Sequence, residues 1–457
     1  MEHSVAMSRR MLEGKYLLAI AMPLAVAQLA QMLMTITASL ILGRLDSVAL
    51  AAGGLSTSLT AFITLIAQGM LASLQPLIAQ VRGQNVAVEA KQNQIVVAAL
   101  MMALGVSVVL VLALCNIETL LNLAHLDSKV VTLAGAFCQA YAWGIPAILC
   151  SAVLRYYLAA VERAKVVMWV FFIATLVYAP ISWFWVLSDY GIGIAGAGYA
   201  LSVNWWMILI GLVVYCRYHR LLSAQCFVLS WQDIQKSARA IITLGWPIGG
   251  IYAAEMGLVS LSSLLVGQFG TAALSAHMIC LNVANILFMV PLALGQAAAV
   301  RVGFHYGRAN LIDGKRSGDL AMMFGIAYAM VIALPLLFQH TWILGFFLDP
   351  SDAEFEQIST LTGGLFVIMA MYLLFDGLQT ILAGALRGLH DTRTPMLYCL
   401  LGYWGIALAV GYVAAYPLAM RTQGLWIGYA FGLAVVCGLL VLRWRRKNAS
   451  PTGAVLS

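Results

Sequence analysis

Charged residues are the scarcest feature of this sequence. Only 9% of its 457 residues are Asp, Glu, Lys or Arg, whereas 63% are hydrophobic. A soluble globular domain carries about a quarter charged residues. A chain this poor in charge cannot cover an aqueous surface, so we expect its main solvent to be lipid. Helices that span a bilayer need roughly 20 apolar residues each, and such runs recur from one end of the sequence to the other.

Motifs that would indicate catalysis, metal binding or secretion are also missing. The eight cysteines show no C-x-x-C or similar metal spacing, and they are interpreted as small hydrophobes. No P-loop is present, so the chain does not draw its energy from a bound nucleotide, and no G-x-S-x-G occurs with a deep His as base. The apolar run after Lys15 is too long for a signal peptide. We therefore expect no enzyme and no cofactor, and a first span that begins near Lys15.

Apolar runs between charged or Gly- and Pro-rich breaks predict twelve transmembrane helices. The predicted spans are 16–42, 50–79, 94–115, 130–152, 166–188, 195–216, 241–267, 272–298, 318–338, 360–385, 395–417 and 424–442. With the N-terminus in the cytoplasm, all but three of the 25 Lys and Arg residues fall inside, the exceptions being Arg44, Lys129 and Arg421. An excess of Lys and Arg on the cytoplasmic side is typical of membrane proteins. The basic charge therefore reports topology and not nucleic-acid binding, and we expect a bacterial inner-membrane protein with both termini in the cytoplasm.

The two halves of the sequence resemble each other. LLAIAMPLAVAQLAQ (17–31) aligns without a gap with IITLGWPIGGIYAAE (241–255), which places Gln31 opposite Glu255. Each half has six spans and inserts in the same orientation, as in the parallel repeats of many transporters. The predicted organisation is an N-terminal lobe over 1–216, a cytoplasmic linker over 217–239 and a C-terminal lobe over 240–457.

Only two acidic residues lie deep within the predicted spans. Glu255 is near the middle of the seventh span, and Asp376 precedes Arg387 by about three helical turns, roughly 16 Å. The two can therefore reach a similar depth, where an ionisable residue is a functional candidate. A pair of carboxylates can hold Na+ through oxygen ligands or share a proton, so that a cation competes with a cationic substrate. A structural role and, less favoured, an aspartyl-protease dyad are the alternatives.

Neutral polar residues within the spans are weaker candidates. Five of them are candidates for lining a substrate pathway: Gln31, Gln68, His277, Asn282 and Gln379. Hydrogen bonding between helices explains each of them equally well, and for His277 we favour that structural interpretation. A Leu-Arg dipeptide in each half ends a span, and its arginines, Arg155 and Arg387, are interpreted as cytoplasmic anchors.

Several segments resemble one transporter family. They are LGWPIGG (244–250), SAHMICLN (275–282), GQAAAVRVGFHYGRAN (295–310), FDGLQTILAGALRGLHDTRTPM (375–396), GYW (402–404) and GLWIG (424–428). The chain is similar to the multidrug and toxic compound extrusion (MATE) family, in its NorM-like branch. The resemblance implies an all-α, V-shaped fold of two six-helix lobes, which exports amphipathic, often cationic compounds by alternating access in exchange for Na+ or H+. It also implies that Glu255, Asp376 and Tyr372 form the cation site. Tyr372 lies one helical turn before Asp376, on the same face.

The first half departs from that family's pattern. Many members carry an aspartate in the first span, where the aligned residue here is Ala38, and the asparagines expected in the fifth span are replaced by Tyr178 and Ser182. With no carboxylate deep in the first half, we expect ion coupling to reside in the C-terminal lobe. A less acidic N-terminal wall also predicts an unusual substrate preference.

The runner-up function is a dedicated exporter or flippase of one natural product or lipid-linked molecule. Lipid-carrier flippases that resemble this fold usually have extra helices and a basic cavity, whereas this sequence predicts twelve spans and no deep Arg or Lys. The expected partners are membrane lipid and small amphipathic molecules, with no nucleic acid. One chain contains both repeats, so we expect it to function as a monomer.

Overall fold

The computed structural model describes residues 2–45, 47–123, 127–188, 191–221, 230–348 and 355–449. Within these ranges every regular element is helical, as the sequence predicted. The elements are α1 (Glu2–Leu42), α2 (Ser47–Leu71), α3 (Leu74–Gln84), α4 (Val88–Cys115), α5 (Ile117–Leu123), α6 (Ser128–Ala142), α7 (Ile145–Ala160), α8 (Ala164–Leu187), α9 (Ile194–Tyr218), α10 (Trp231–Gly267), α11 (Thr271–Gly307), α12 (Leu311–Phe338), α13 (His340–Leu344), α14 (Phe355–Gly388), α15 (Arg393–Leu400), a π-helical segment (Leu401–Ala407), α16 (Leu408–Ala415) and α17 (Arg421–Ala449). Part of the predicted linker, 222–229, lies outside the described residues.

The helices match the predicted spans. In the described chain, 11 helical stretches are long and apolar enough to cross a membrane, and a bent pair brings the number to 12. That pair is α6 and α7, which meet at 49° beside Pro146 in the first turn of α7. A proline has no backbone N–H to continue the preceding helix, so the span bends there. Most helices extend past the predicted ends because the apolar run marks only the hydrocarbon thickness.

Outward-facing side chains are apolar along the spans. Val108, Val109 and Leu112 of α4 and Met330 and Val331 of α12 are each more than half exposed. A soluble protein would not turn such a surface to water, whereas lipid is as apolar as these side chains. The exposed surface therefore agrees with the composition in requiring a membrane.

The chain forms two compact units whose boundaries fall inside continuous helices. The first unit comprises Met1–Met22 with Gly250–Ser457, and the second comprises Pro23–Gly249. The boundary in α1 lies at Pro23, and the boundary in α10 lies just after Pro247. The start of each of these helices therefore packs with the opposite half of the sequence. The lobes predicted from the repeat are 1–216 and 240–457. The compact units of the structure are instead divided after residues 22 and 249.

Glu13 ties the start of α1 into the first unit. Its Oε1 accepts from Nη2 of Arg301 at 2.6 Å, and its Oε2 accepts from Nε of the same arginine at 3.1 Å. His305 Nε2 lies 2.9 Å from Oε1, and the hydroxyl of Ser317 donates to Oε2 at 3.1 Å. Arg301 is almost fully buried. This bidentate pair thus gives a buried cation its counterion, and losing either partner of such a pair is costly.

In the second unit, α10 approaches α2 through a glycine. A side chain at Gly245 would overlap the backbone of Met70, so only glycine allows this approach. One turn earlier, the hydroxyl of Ser73 donates to the carbonyl oxygen of Ile241 at 3.2 Å. Close backbone approach and a polar link are the usual means of joining helices in lipid.

Helix α7 is the centre of the second unit. Every residue from Ile145 to Ala160 except Pro146 is buried, because α7 packs against α2, α3, α4, α8 and α9. Arg155 lies on this helix and is only 7% exposed. A span-end anchor reaches towards the lipid headgroups, so the sequence interpretation did not predict this enclosure within the protein. Arg387 is equally buried at the end of α14. Position in the sequence marks a span end, but tertiary packing decides whether that end is enclosed.

Candidate functional site

A small cavity in the first unit contains both acidic candidates. It lies between α10, α14, the π segment and α17, and its polar lining residues are Glu255, Tyr372, Asp376, Tyr403 and Tyr429. The space open to the centre of a water-sized sphere is about 20 Å³. One water needs about 10–15 Å³ on that measure. The cavity therefore has room for a species the size of a water molecule or a bare cation.

Asp376 is the more enclosed of the two carboxylates of the cavity. It is 3% exposed, its carboxylate accepts from the hydroxyl of Tyr372, and Glu255 lines the same cavity. Two carboxylates in a low-dielectric cavity repel each other strongly when both are ionised. A bound cation or a shared proton removes that repulsion. The arrangement is thus suited to take up positive charge.

Glycines bring α14 close enough to α11 to fix the position of Asp376. A side chain at Gly377, the next residue, would press against the ring of Pro291. Two turns further on, a side chain at Gly384 would overlap the backbone of Gly295. Small residues at a helix crossing allow backbones to approach in lipid. The carboxylate of Asp376 therefore projects from one of the most closely packed helices of the unit.

The π segment supplies a third side of the cavity. It turns Tyr403, which is 2% exposed, to the cavity lining. The next residue, Trp404, donates from Nε1 to the carbonyl oxygen of Ala254 at 3.2 Å, and Ala254 directly precedes Glu255. A π turn shifts the faces on which successive side chains project, and such turns are frequent at functional sites. The segment therefore both lines the cavity and holds the helix that carries Glu255.

His277 and Trp426 support the cavity from behind. The ring of Trp426 lies 5.5 Å from that of Tyr372, and its Nε1 donates to Nδ1 of His277 at 3.1 Å. On the other side of the imidazole, Nε2 lies 3.1 Å from the hydroxyl of Ser263. Because an indole nitrogen only donates, Nδ1 accepts and a neutral His277 carries its proton on Nε2. His277 thus orients Trp426 and does not line the cavity.

The structure brings together three of the predicted site residues and separates the others. Glu255, Tyr372 and Asp376 share the cavity. Gln379 is buried behind it, where it accepts from Tyr403 at 3.3 Å and donates to Sγ of Cys399 at 3.1 Å. Asn282 is exposed on α11 and lines none of the cavities described here.

Sequence reasoning did not assign roles to Tyr403, Trp426 and Tyr429. The signal for the first two was present, since the motifs GYW (402–404) and GLWIG (424–428) contain them. A π turn leaves no mark in hydropathy, so nothing indicated that Tyr403 faces Asp376.

Gln31 and Gln68 lie in a second cavity, inside the second unit. Its volume on the same measure is about 110 Å³, and its lining also includes Thr57, Thr60 and Thr64. Ala38 is fully buried in this lining. No carboxylate is among the lining residues. The two cavities therefore differ in size and in polarity.

Comparisons with known proteins agree on one family. The sequence profile described as MatE matches residues 23–184 and 247–413. These ranges begin at Pro23 and Pro247, which the internal repeat aligns with each other. Multidrug resistance protein NorM from Burkholderia vietnamiensis is 33% identical over 439 residues, which cover 95% of this chain and 94% of that protein. The probable multidrug resistance protein NorM from Mesorhizobium japonicum is 30% identical over 435 residues, covering 94% and 93%.

Solved structures show the same fold. The eukaryotic MATE transporter AtDTX14 superimposes with a TM-score of 0.85 at 19% identity, covering 97% of this chain and 99% of that one. The Vibrio cholerae MATE transporter VcmN in its bent form gives 0.84 at 17% identity, with coverage of 97% and 99%.

Proposed function

Because the chain belongs to the multidrug and toxic compound extrusion family and is therefore a membrane transporter and not an enzyme, we propose that it exports amphipathic, mainly cationic compounds in exchange for Na+ or H+. The ion occupies the cavity between Glu255 and Asp376. Oxygen atoms of these carboxylates and of Tyr372 are suitable ligands for a hard cation, and the same carboxylates can carry a proton. No cofactor is required.

The observation that carries this proposal is the size and charge of the cavity. About 20 Å³ is far below the roughly 300–1,000 Å³ of a drug-sized site. The cavity therefore takes the coupling ion, and the organic substrate binds elsewhere. An ion drives transport only if it binds one conformation more tightly than another, and neutralising two adjacent carboxylates supplies that difference in free energy.

The environment and orientation follow from the distribution of charge. We propose that the protein resides in a bacterial inner membrane with both termini in the cytoplasm, since nearly all Lys and Arg fall on the predicted inner side. A single chain contains both repeats, which supports function as a monomer. The acidic residues predicted for an outer loop, Asp349, Asp352 and Glu354, lie outside the described residues.

The experiment is ethidium efflux from proteoliposomes under an imposed Na+ or pH gradient. We expect Glu255→Gln and Asp376→Asn each to reduce gradient-driven efflux at least about tenfold, the effect of losing a charged ion ligand. Glu356→Gln is the matched control, because this exposed carboxylate at the start of α14 lies outside the cavity. The gradient that drives efflux identifies the ion. Undiminished efflux in both cavity variants would remove the carboxylates from the coupling mechanism.

One observation favours the second candidate function, a dedicated exporter or flippase. The second unit contains a buried arginine behind its cavity, which is a basic feature that a purely cationic substrate would avoid. Wild-type protein that binds but does not move ethidium, and that moves an anionic amphiphile, would support this alternative.

A further inference from the structure

We propose that the cavity of the second unit is a substrate subsite that recognises a carboxylate, with Arg155 as the source of its positive potential. The inference rests on the export function proposed above and adds a substrate class to it, namely zwitterionic or anionic amphiphiles. The cavity lined by Gln31, Thr57, Thr60, Thr64 and Gln68, with Arg155 behind the two glutamines, is called the Arg155 pocket below.

Arg155 is a buried cation whose partners are all neutral. Nη1 donates to Oε1 of Gln31 at 3.3 Å, and Nη2 donates to Oε1 of Gln68 at 3.0 Å and to the hydroxyl of Tyr156 at 3.4 Å. The guanidinium also lies over the ring of Phe171, and its Nε has no hydrogen-bond partner. Within the part of the chain that the structure describes, no carboxylate pairs with it. Burying a charge without a counterion is expensive, so the pocket retains an uncompensated positive potential.

Arg155 also determines the orientation of the two glutamine side chains in the pocket. A guanidinium has only donors, so the carbonyl oxygens of Gln31 and Gln68 must face it. Their Nε2 amide groups are consequently turned away from the arginine, and both residues line the cavity. The end of the pocket next to Arg155 therefore offers N–H donors, backed by a positive charge. Donors of this kind suit the oxygens of a carboxylate.

The rest of the pocket along α2 offers acceptors. Thr57, Thr60 and Thr64 project from one face of α2. Each donates its hydroxyl to a backbone carbonyl one turn earlier, at 2.8, 2.8 and 2.6 Å. Their hydroxyl hydrogens are thus engaged, and the lone pairs of the oxygens remain for an N–H or ammonium group. Donors at one end and acceptors along α2 match a headgroup that carries both a carboxylate and a hydrogen-bond donor.

The volume of the pocket limits which part of the substrate can bind in it. About 110 Å³ holds several water-sized units but not a whole drug. Aromatic side chains from Tyr141 and Trp205 complete the lining and suit a flat apolar body next to the polar group. The pocket therefore selects a substrate by its headgroup. At this subsite the field of Arg155 disfavours a purely cationic headgroup, so a cation such as ethidium binds outside it.

Ala38 provides the most discriminating variant. Its side chain is buried in the lining of the pocket, two helical turns from Gln31 along α1, so Ala38→Asp would add a negative charge that opposes the field of Arg155 and repels a substrate carboxylate. Arg155→Gln removes the charge instead. Arg163→Gln is the matched control, because this arginine follows α7 and is exposed.

The test is equilibrium binding of two rhodamines to the detergent-solubilised full chain by fluorescence polarisation. Rhodamine 110 has a free carboxylate, and rhodamine 123 is its methyl ester. We expect wild type to bind rhodamine 110 the more tightly. Ala38→Asp and Arg155→Gln should each lower that preference by about tenfold, the loss of one charge-assisted interaction. Arg163→Gln should preserve it. Thermal melting of each variant establishes that it is folded.

Each outcome decides the assignment. An unchanged preference in folded Ala38→Asp would overturn it, as would wild type that binds neither rhodamine or prefers the ester. The binding preference is independent of transport. If it behaves as expected while proteoliposomes move no rhodamine, the export function fails and the carboxylate subsite stands.

Discussion

The two compact units of this chain contain interior sites of opposite charge. In the first unit Glu255 and Asp376 share a cavity that suits a cation, and in the second Arg155 lies behind a cavity lined by neutral groups. The repeat places Gln31 opposite Glu255. One of the two carboxylates of the first site is thus an amide at the equivalent position of the second unit, which contributes to the difference in charge. A duplicated helical scaffold leaves the chemistry of each copy to a few side chains.

Two of the buried arginines, one from each unit, show the same contrast. Arg301 is buried in the first unit against the carboxylate of Glu13, whereas Arg155 is buried in the second against two amide oxygens. Of these two arginines, only Arg301 is paired with a carboxylate of a described residue. The difference indicates that Arg301 has a structural role, whereas the positive charge of Arg155 is available to a ligand.

The largest expected effect on transport comes from moving the carboxylate between the equivalent positions. The double variant Glu255→Gln with Gln31→Glu keeps the total charge but should remain at least about tenfold below wild type in gradient-driven efflux. A glutamate at 31 would pair with Arg155, 3.3 Å from the present amide oxygen, and would be unavailable for an ion. Efflux in proteoliposomes is the measurement. Restored coupling would show that the two sites are interchangeable. It would contradict the conclusion that only the site of the first unit binds the coupling ion.

The largest expected loss of stability comes from breaking the buried ion pair. Glu13→Gln leaves Arg301 without its counterion, and we expect the protein to lose roughly 3–5 kcal/mol of stability, seen as a lower melting temperature in detergent. Asp319→Asn is the control, because its pair with Lys315 is half exposed and such pairs contribute little. Equal melting temperatures for the two variants would mean that Arg301, like Arg155, needs no counterion.

A smaller effect is expected for Tyr372→Phe. The ring contacts with Trp426 and Tyr429 are retained, and only the hydroxyl that donates to Asp376 is lost. One hydrogen bond to a charged group corresponds to about a tenfold weaker half-saturation by the coupling ion. Efflux measured against ion concentration gives this value, with Tyr412→Phe, exposed on α16, as control. An unchanged value would exclude Tyr372 from the ion site.

A smaller loss of stability than that of Glu13→Gln is expected for Trp426→Phe. The change leaves Nδ1 of buried His277 without its donor, at a cost of about 1–3 kcal/mol. In Trp206→Phe the lost bond, from Nε1 to the carbonyl oxygen of Trp143, is exposed, so its melting temperature should change less. If both variants melt alike, His277 does not depend on Trp426 for its position.

The sequence predicted those features that depend on local composition. The apolar runs predicted the spans, and the distribution of basic residues supported their number. The high free energy of a carboxylate in lipid identified Glu255 and Asp376 as candidates. Features that arise from packing were missed. The burial of Arg155 depends on the helices that enclose α7, and the orientation of Tyr403 depends on a π turn. The boundaries inside α1 and α10 were also missed, because hydropathy is continuous across them.

Those boundaries have a consequence for the origin of the repeat. A chain divided between α9 and α10 would yield two fragments, and neither would contain a whole compact unit, since each holds the helix start that completes the other. The fragments should therefore fold only when they are produced together. If a single six-helix gene preceded the duplication, its product was a homodimer whose copies exchanged the starts of their first helices, which is domain swapping. Fusion of the two copies then made that exchange intramolecular.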